Sequence, residues 1–119
     1  MNKKQKQLMK KTINSYLLPF GGSFEFMTTA DDMYNKCVGY FDPETSRIII
    51  KQSECDSDTV SHEMAHLSQF NKWGKTQCES THYSKRDLDL YYDFTRLAKK
   101  YKIMLKETGF NQIWNSIFN

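Results

Sequence analysis

Residues 37–74 read CVGYFDPETSRIIIKQSECDSDTVSHEMAHLSQFNKWG, and within this stretch the hydrophobic period changes from that of a strand to that of a helix. Residues 37–41 and 47–51 are rich in β-branched and aromatic side chains. Between them Asp42-Pro43-Glu44-Thr45 is a turn, with proline well placed at its second position. The spacing predicts a β-hairpin over 37–51. From about 58 to 72 the apolar residues Val60, Met64 and Leu67 fall at helical intervals instead. Ser57 or Asp56 can cap that helix, and Gly74 can close it. A hairpin leading straight into a helix implies an α+β chain.

The flanks extend the same reading. Upstream, Leu8, Met9, Ile13, Leu17 and Leu18 predict a helix over 3–18, which Pro19 and Gly21-Gly22 stop. Phe24, Phe26 and Thr28 then alternate with Glu25, Met27 and Thr29, as in a strand. Downstream, 75–83 reads as a loop, and Ser84 with Asp87 resembles a capping box that uses Asp for the usual Glu. The next helix runs to about 107, burying Leu90, Phe94, Leu97 and Tyr101, and Gly109 ends it. Phe110, Ile113, Trp114 and Ile117 form a short amphipathic tail expected to pack back onto the core. The expected order is an N-terminal helix, a three-stranded sheet, the central helix and a long C-terminal helix, all in one domain over 1–119.

Inside the central helix lies His62-Glu63-Met64-Ala65-His66, an H-E-x-x-H pattern. Four residues apart, His62 and His66 share one helix face, so both imidazoles can reach one zinc ion at about 2.0–2.1 Å. Glu63 is rotated off that line, where a carboxylate can act as general base toward a water activated by the metal. A catalytic zinc commonly takes three protein ligands and leaves a position open. All three histidines of the chain fall between residues 62 and 82, which makes His82 the leading third ligand. Glu79, Asp87 and Cys78 are the alternatives. Tyr83 and Tyr40 are candidates to hydrogen-bond an oxyanion, though packing is the plainer role for each. Trp73 reads as a core or rim anchor.

Composition narrows the setting. The 119 residues carry a net charge of +3, mostly from Lys3, Lys4, Lys6, Lys10 and Lys11 and from Lys99, Lys100, Lys102 and Lys106. Such clusters can contact nucleic-acid phosphates, or simply be the solvated faces of helices. Cys37, Cys55 and Cys78 are odd in number and make no C-x-x-C pair, so a disulfide framework is not expected. No apolar run approaches the ~20 residues of a membrane span, and the N-terminal lysines precede no apolar core of a secretion signal. A cytoplasmic location is the expectation.

Gly39-Tyr40-Phe41-Asp42-Pro43-Glu44 followed by Arg47-Ile48-Ile49-Ile50 resembles the strand-turn-strand before the active-site helix of SprT-like zinc metallopeptidases. Val60-Ser61-His62-Glu63-Met64-Ala65-His66 looks like that family's V-x-H-E-x-x-H segment, and His82 before a basic amphipathic helix is similar to its third-ligand histidine. The resemblance covers roughly residues 10–105. It implies a small zincin-like fold, a Zn2+ cofactor held by His62, His66 and His82, and peptide-bond hydrolysis with Glu63 as base. The strand around Ile48–Lys51 would align an extended substrate. The chain departs from the family at Tyr83, where Gly often follows the third histidine, and no cysteine pairs follow for the zinc ribbon found in many relatives. A compact form is the expectation, as in small phage or mobile-element proteins. Two other readings stand beside it. One is a non-catalytic zinc-stabilised module contacting nucleic acid or a partner protein, for which Glu63 would be superfluous. The other is an ImmA/IrrE-type regulatory peptidase, which would favour Glu79 or Asp87 over His82.

Overall fold

The computed structural model describes residues 2–74, 76 and 88–118. Among them the order is α1 (Lys3–Leu17), a 3-10 turn at Leu18–Phe20, β1 (Ser23–Phe26), β2 (Gly39–Asp42), β3 (Arg47–Ile50), a second 3-10 turn, α2 (Ser57–Trp73), α3 (Leu88–Glu107) and α4 (Phe110–Phe118). The chain is α+β. Ser84 and Asp87, and the loop expected at 75–83 save Thr76, lie outside the described residues.

The hairpin forms with small shifts of boundary, β2 beginning at Gly39 rather than Cys37. Asp42 holds its turn: one carboxylate oxygen accepts from the Glu44 amide at 3.0 Å and the other from the Thr45 hydroxyl at 3.1 Å. Ser46 closes the turn in the left-handed region (φ 53). The sheet order is β1-β3-β2, with β1 parallel and β2 antiparallel to β3. This corrects one expectation. Ile48–Ile50 is the central strand, with both backbone edges already paired, so it has none left for an extended substrate. Among the described residues β2 pairs on one side only.

Pairing aligns side chains in rows across the three strands. Phe24, Ile48 and Phe41 form one row, and Phe26, Ile50 and Gly39 the next, on the same face. Phe24, Phe26, Ile48 and Ile50 join Met9, Ile13 and Leu17 of α1, Val60, Met64 and Leu67 of α2, and Phe94, Leu97, Tyr101 and Leu105 of α3 in one core. Glu25, Ile49 and Tyr40 form one row on the other face, and Ser23, Arg47 and Asp42 the next. There the loop between β1 and β2 is tied down by the Tyr40 hydroxyl, which donates to Asp31 at 2.6 Å.

Several details follow from where the apolar stripes fall. In α1 the buried residues are Met9, Ile13 and Leu17, one turn apart, while Leu8 and Leu18 stay exposed at 49% and 77%, against expectation. The stripe of α1 is therefore a single row, not a broad face. Asp56 is the residue that caps α2, accepting from the Thr59 amide at 2.8 Å, and Gly74 ends the helix with φ 70. In α3, Phe94, Leu97 and Tyr101 are buried as expected, but Leu90 is only half-buried and Leu105 takes its place in the core. After Gly109 (φ 84), α4 buries Phe110, and Ile113, Trp114 and Ile117 pack against the core. Cys37 and Cys55 are free thiols. No described helix is long and apolar enough to cross a membrane.

Candidate metal centre

α2 runs across the sheet with its apolar stripe turned into the core, which fixes where the motif residues must face. Val60, Met64 and Leu67 point inward and are buried, while Glu63 and His66, each one position before a residue of that stripe, are 3% and 5% exposed. His62, one turn before His66, is half-buried, its side chain 32% exposed. Burial this deep of a carboxylate and an imidazole is costly unless they share partners. Their ligand-capable atoms all lie within 4.8 Å of one another.

The two Nε2 atoms, of His62 and His66, stand 3.1 Å apart. That is close enough for both to reach one ion at about 2.0–2.1 Å. Glu63 Oε1 lies 3.9 Å from His62 Nε2, beside the histidine pair. Both imidazoles rest on Phe94 of α3, with ring centroids 4.8 Å from His62 and 4.6 Å from His66. A buried phenyl (6% exposed) thus limits both rings' rotation from the α3 side. His66 Nδ1 lies 3.0 Å from the Thr76 hydroxyl, so that ring is also held at the nitrogen facing away from His62. Two imidazole nitrogens converging in a buried setting, one ring held at its far nitrogen, are the donor set a borderline-soft divalent ion such as Zn2+ prefers. The residues present fit such an ion.

Clefts open on both sides of Glu63. One, of about 460 Å³, is lined by Cys37, Val38, Gly39, Asp58, Thr59, His62 and Glu63. The other, of about 440 Å³, includes Met33, Gly39, Tyr40, Phe41, Glu63, His66 and Thr76. Gly39 lies in both, and a methyl group there would come within 2.9 Å of Ile50 Cγ1. Between them the clefts bring the one-sided strand β2 alongside the motif helix.

His62, Glu63 and His66 are brought together. His82, Glu79, Asp87 and Cys78, the candidates for a third ligand, lie outside the described residues, as does Tyr83. Tyr40 lines a cleft, but its hydroxyl is engaged by Asp31. Burial first, and then the Asp31 hydrogen bond and charge, push it up to about 12, so it stays a neutral donor. Trp73 is a rim residue, 54% exposed, with the Lys72 ammonium 5.0 Å from its ring centroid. Phe94, read from the sequence only as core, packs on both histidines, and Thr76, Gln69 and Asp93, linked in turn to His66, did not stand out in the sequence. Gln69 is fully buried one turn past His66, where its amide needs partners, but that burial is not written in the sequence. Comparison of the chain with known protein families, with curated proteins and with solved structures finds no match.

Proposed function

We propose that the chain is a zinc-dependent metallopeptidase of SprT-like type. The observation that carries the reading is the convergence of His62 and His66 Nε2 at 3.1 Å, with a buried Glu63 carboxylate beside them at the junction of two clefts. His62 and His66 would hold the ion, and His82 is proposed as the third ligand on its position in the sequence. When bound, zinc supplies Lewis acidity and makes a water nucleophilic near neutral pH. Glu63 takes a proton from the attacking water and hands it to the departing amine, a shuttle that suits a carboxylate within one residue of the first histidine. Phe94 keeps the imidazoles in place and bars water from their α3 side. With β3 paired on both edges, β2 is the strand that offers its backbone to an extended substrate. A non-catalytic zinc module would have no use for the buried Glu63.

Bound zinc and cleavage of casein should be measured for wild type, Glu63→Gln and His82→Ala. Glu63→Gln should keep zinc and lose about 10²–10⁴-fold in rate, the usual contribution of a positioned acid–base group. His82→Ala should weaken zinc binding. A wild type that binds zinc through four protein ligands and cleaves nothing would overturn the enzyme reading, and unchanged zinc affinity in His82→Ala would overturn the third ligand.

A second reading draws on a separate surface. A cleft of about 630 Å³ is lined by Lys3, Lys6, Lys10 and Lys51, and Glu25 is the one carboxylate in its lining. Lys10 pairs with that Glu25 at 2.7 Å. The excess of positive charge favours nucleic-acid phosphates as a partner, in addition to the zinc site or in place of its catalytic use. Binding to a single-stranded oligonucleotide should weaken with salt at a slope of about 0.7 per phosphate neutralised. Salt-independent binding, or none, would remove this reading.

A further inference from the structure

His66 Nε2 faces His62, and its Nδ1 meets a chain of three polar side chains whose donors and acceptors can be assigned from the far end inward. Asp93, in the second turn of α3, is the fixed point. Partial burial pushes its carboxyl up, but hydrogen bonds from Arg96, Gln69 and Trp73, with the nearby Lys72 charge, outweigh that and hold it below the ordinary range. An ionised carboxylate only accepts. Gln69 is fully buried, and one end of its amide meets two acceptors at once: the Leu90 carbonyl at 2.9 Å and Asp93 Oδ2 at 3.1 Å. Only the NH₂ end satisfies both, so the opposite rotation of the amide is excluded and Oε1 faces Thr76. The Thr76 hydroxyl is 3.2 Å from Oε1 and must donate to it. Its single proton is then spent, and it has only lone pairs to offer His66 Nδ1 at 3.0 Å. The nitrogen that meets it has to carry a proton.

We propose that Asp93, Gln69 and Thr76 form a hydrogen-bond relay that fixes His66 with its proton on Nδ1 and its lone pair on Nε2, turned toward His62. These three are positioning residues. They touch no reacting group, and they act by deciding which imidazole nitrogen is free to ligate. The Nδ1–H form is the less common tautomer of a free histidine, so an unassisted ring would more often present the wrong nitrogen. The relay also explains why a polar, fully buried glutamine stands on a helix face turned toward α3. It ties the start of α3, through Leu90 and Asp93, to a residue just past Gly74, so the site and the α2–α3 packing are held by the same bonds.

The effect on zinc rests on the metallopeptidase reading, whereas the tautomer does not, and the experiment separates them. Metal-free protein labelled with 15N-histidine is examined by long-range proton–nitrogen NMR at about pH 8.5, above the ordinary histidine range. Wild type should show His66 protonated at Nδ1. Thr76→Val keeps the shape and removes the hydroxyl; it should shift His66 toward the Nε2–H form, with that proton donated to His62. It should also weaken zinc affinity by about 10–100-fold, as loss of an outer partner of a ligating histidine does. Thr76→Ser should restore both readouts to the wild-type values. His66 protonated at Nε2 in wild type overturns the relay, even if Thr76→Val fails to fold. So does a folded Thr76→Val with unchanged tautomer and unchanged zinc affinity. A wild type with the Nδ1–H form that Thr76→Val disturbs, but with no affinity for zinc, supports the relay and removes the metal reading.

Discussion

Replacing Gly22 by alanine should destabilise the protein, and truncating Leu67 should relieve part of that damage. A methyl group at Gly22 would lie 2.5 Å from Leu67 Cδ2 and 3.2 Å from the Ser46 carbonyl oxygen. Carbon atoms in contact prefer about 3.5–4.0 Å, so one branch of Leu67 must retreat by about an ångström. Leu67 is fully buried, and the carbonyl behind the methyl is backbone, so neither gives way cheaply. Overpacking of this kind costs about 1–3 kcal/mol. The smaller unfolded-state entropy of alanine offsets about 0.4–1 kcal/mol of it. A net loss of about 1–2 kcal/mol follows. Unlike Gly21 and Gly74, Gly22 is not in the left-handed region, so backbone strain adds nothing. Leu67→Ala alone should cost about 2–5 kcal/mol by leaving a cavity. In the double variant the new methyl occupies space that Cδ2 has vacated. The two changes should then sum to less than their separate costs, by about 1–2 kcal/mol. Urea unfolding followed by circular dichroism measures all four corners of the cycle. With a slope of about 1–3 kcal/mol per molar, the Gly22→Ala midpoint should move by about 0.5–1 M. Additivity to within about 0.5 kcal/mol would refute the packing argument. So would a Gly22→Ala variant as stable as wild type.

Asp56→Ala removes the oxygen that accepts from the Thr59 amide at 2.8 Å and should cost about 1 kcal/mol, lowering the melting temperature by about 4 °C. An unchanged melt would mean that another group caps α2. Tyr40→Phe should change the pH dependence of stability at both ends. The Tyr40 bond, with the Met33 amide, holds Asp31 below the usual carboxylate range, so its contribution is present above about pH 3.9 and lost as pH falls. Tyr40 is raised to about 12, so its contribution is whole below about pH 10 and lost as pH climbs toward 12. Thermal melts from acid to alkali should therefore show the largest difference between wild type and variant in the middle of the range; a constant difference contradicts the linkage. Burial, with the Asp56 and Glu54 charges, raises the Cys55 thiol far above its ordinary value. Iodoacetamide should spare Cys55 in the native protein and modify it in guanidinium, read by peptide mass spectrometry. Native labelling at the rate of a free thiol would place that side chain in solvent.

The hairpin, α2 and both glycine stops were legible because each is written in local periodicity and turn chemistry. The arrangement of the strands was not. Ser23–Phe26 reads as a strand, but nothing in four residues says that it will run parallel to β3 and leave β2 at the edge. Leu8, Leu18 and Leu90 show the limit of helical spacing, which marks a face but not how much of it a neighbour covers. The candidate site divides in the same way. His62, Glu63 and His66 are recognisable because helix geometry alone puts them together. Phe94, Gln69, Thr76 and Asp93 acquire their roles only when α3 packs against α2, and each is an ordinary residue type in its own segment.

The central position of β3 bears on the order in which the protein can be made. β3 is the last of the three strands to be synthesised, and each of the others depends on it for pairing. Until Arg47–Ile50 emerge, Ser23–Phe26 have no strand to bond and can only wait beside α1. The hairpin, closed across the Pro43–Ser46 turn, can form at once, and β1 then docks on its outer side. A fragment beginning after Phe26 would keep the hairpin yet leave one edge of Ile48-Ile49-Ile50 bare. Such an apolar edge is a template for strand addition by a neighbouring chain. The N-terminal segment therefore covers that edge of β3 as well as contributing to the core.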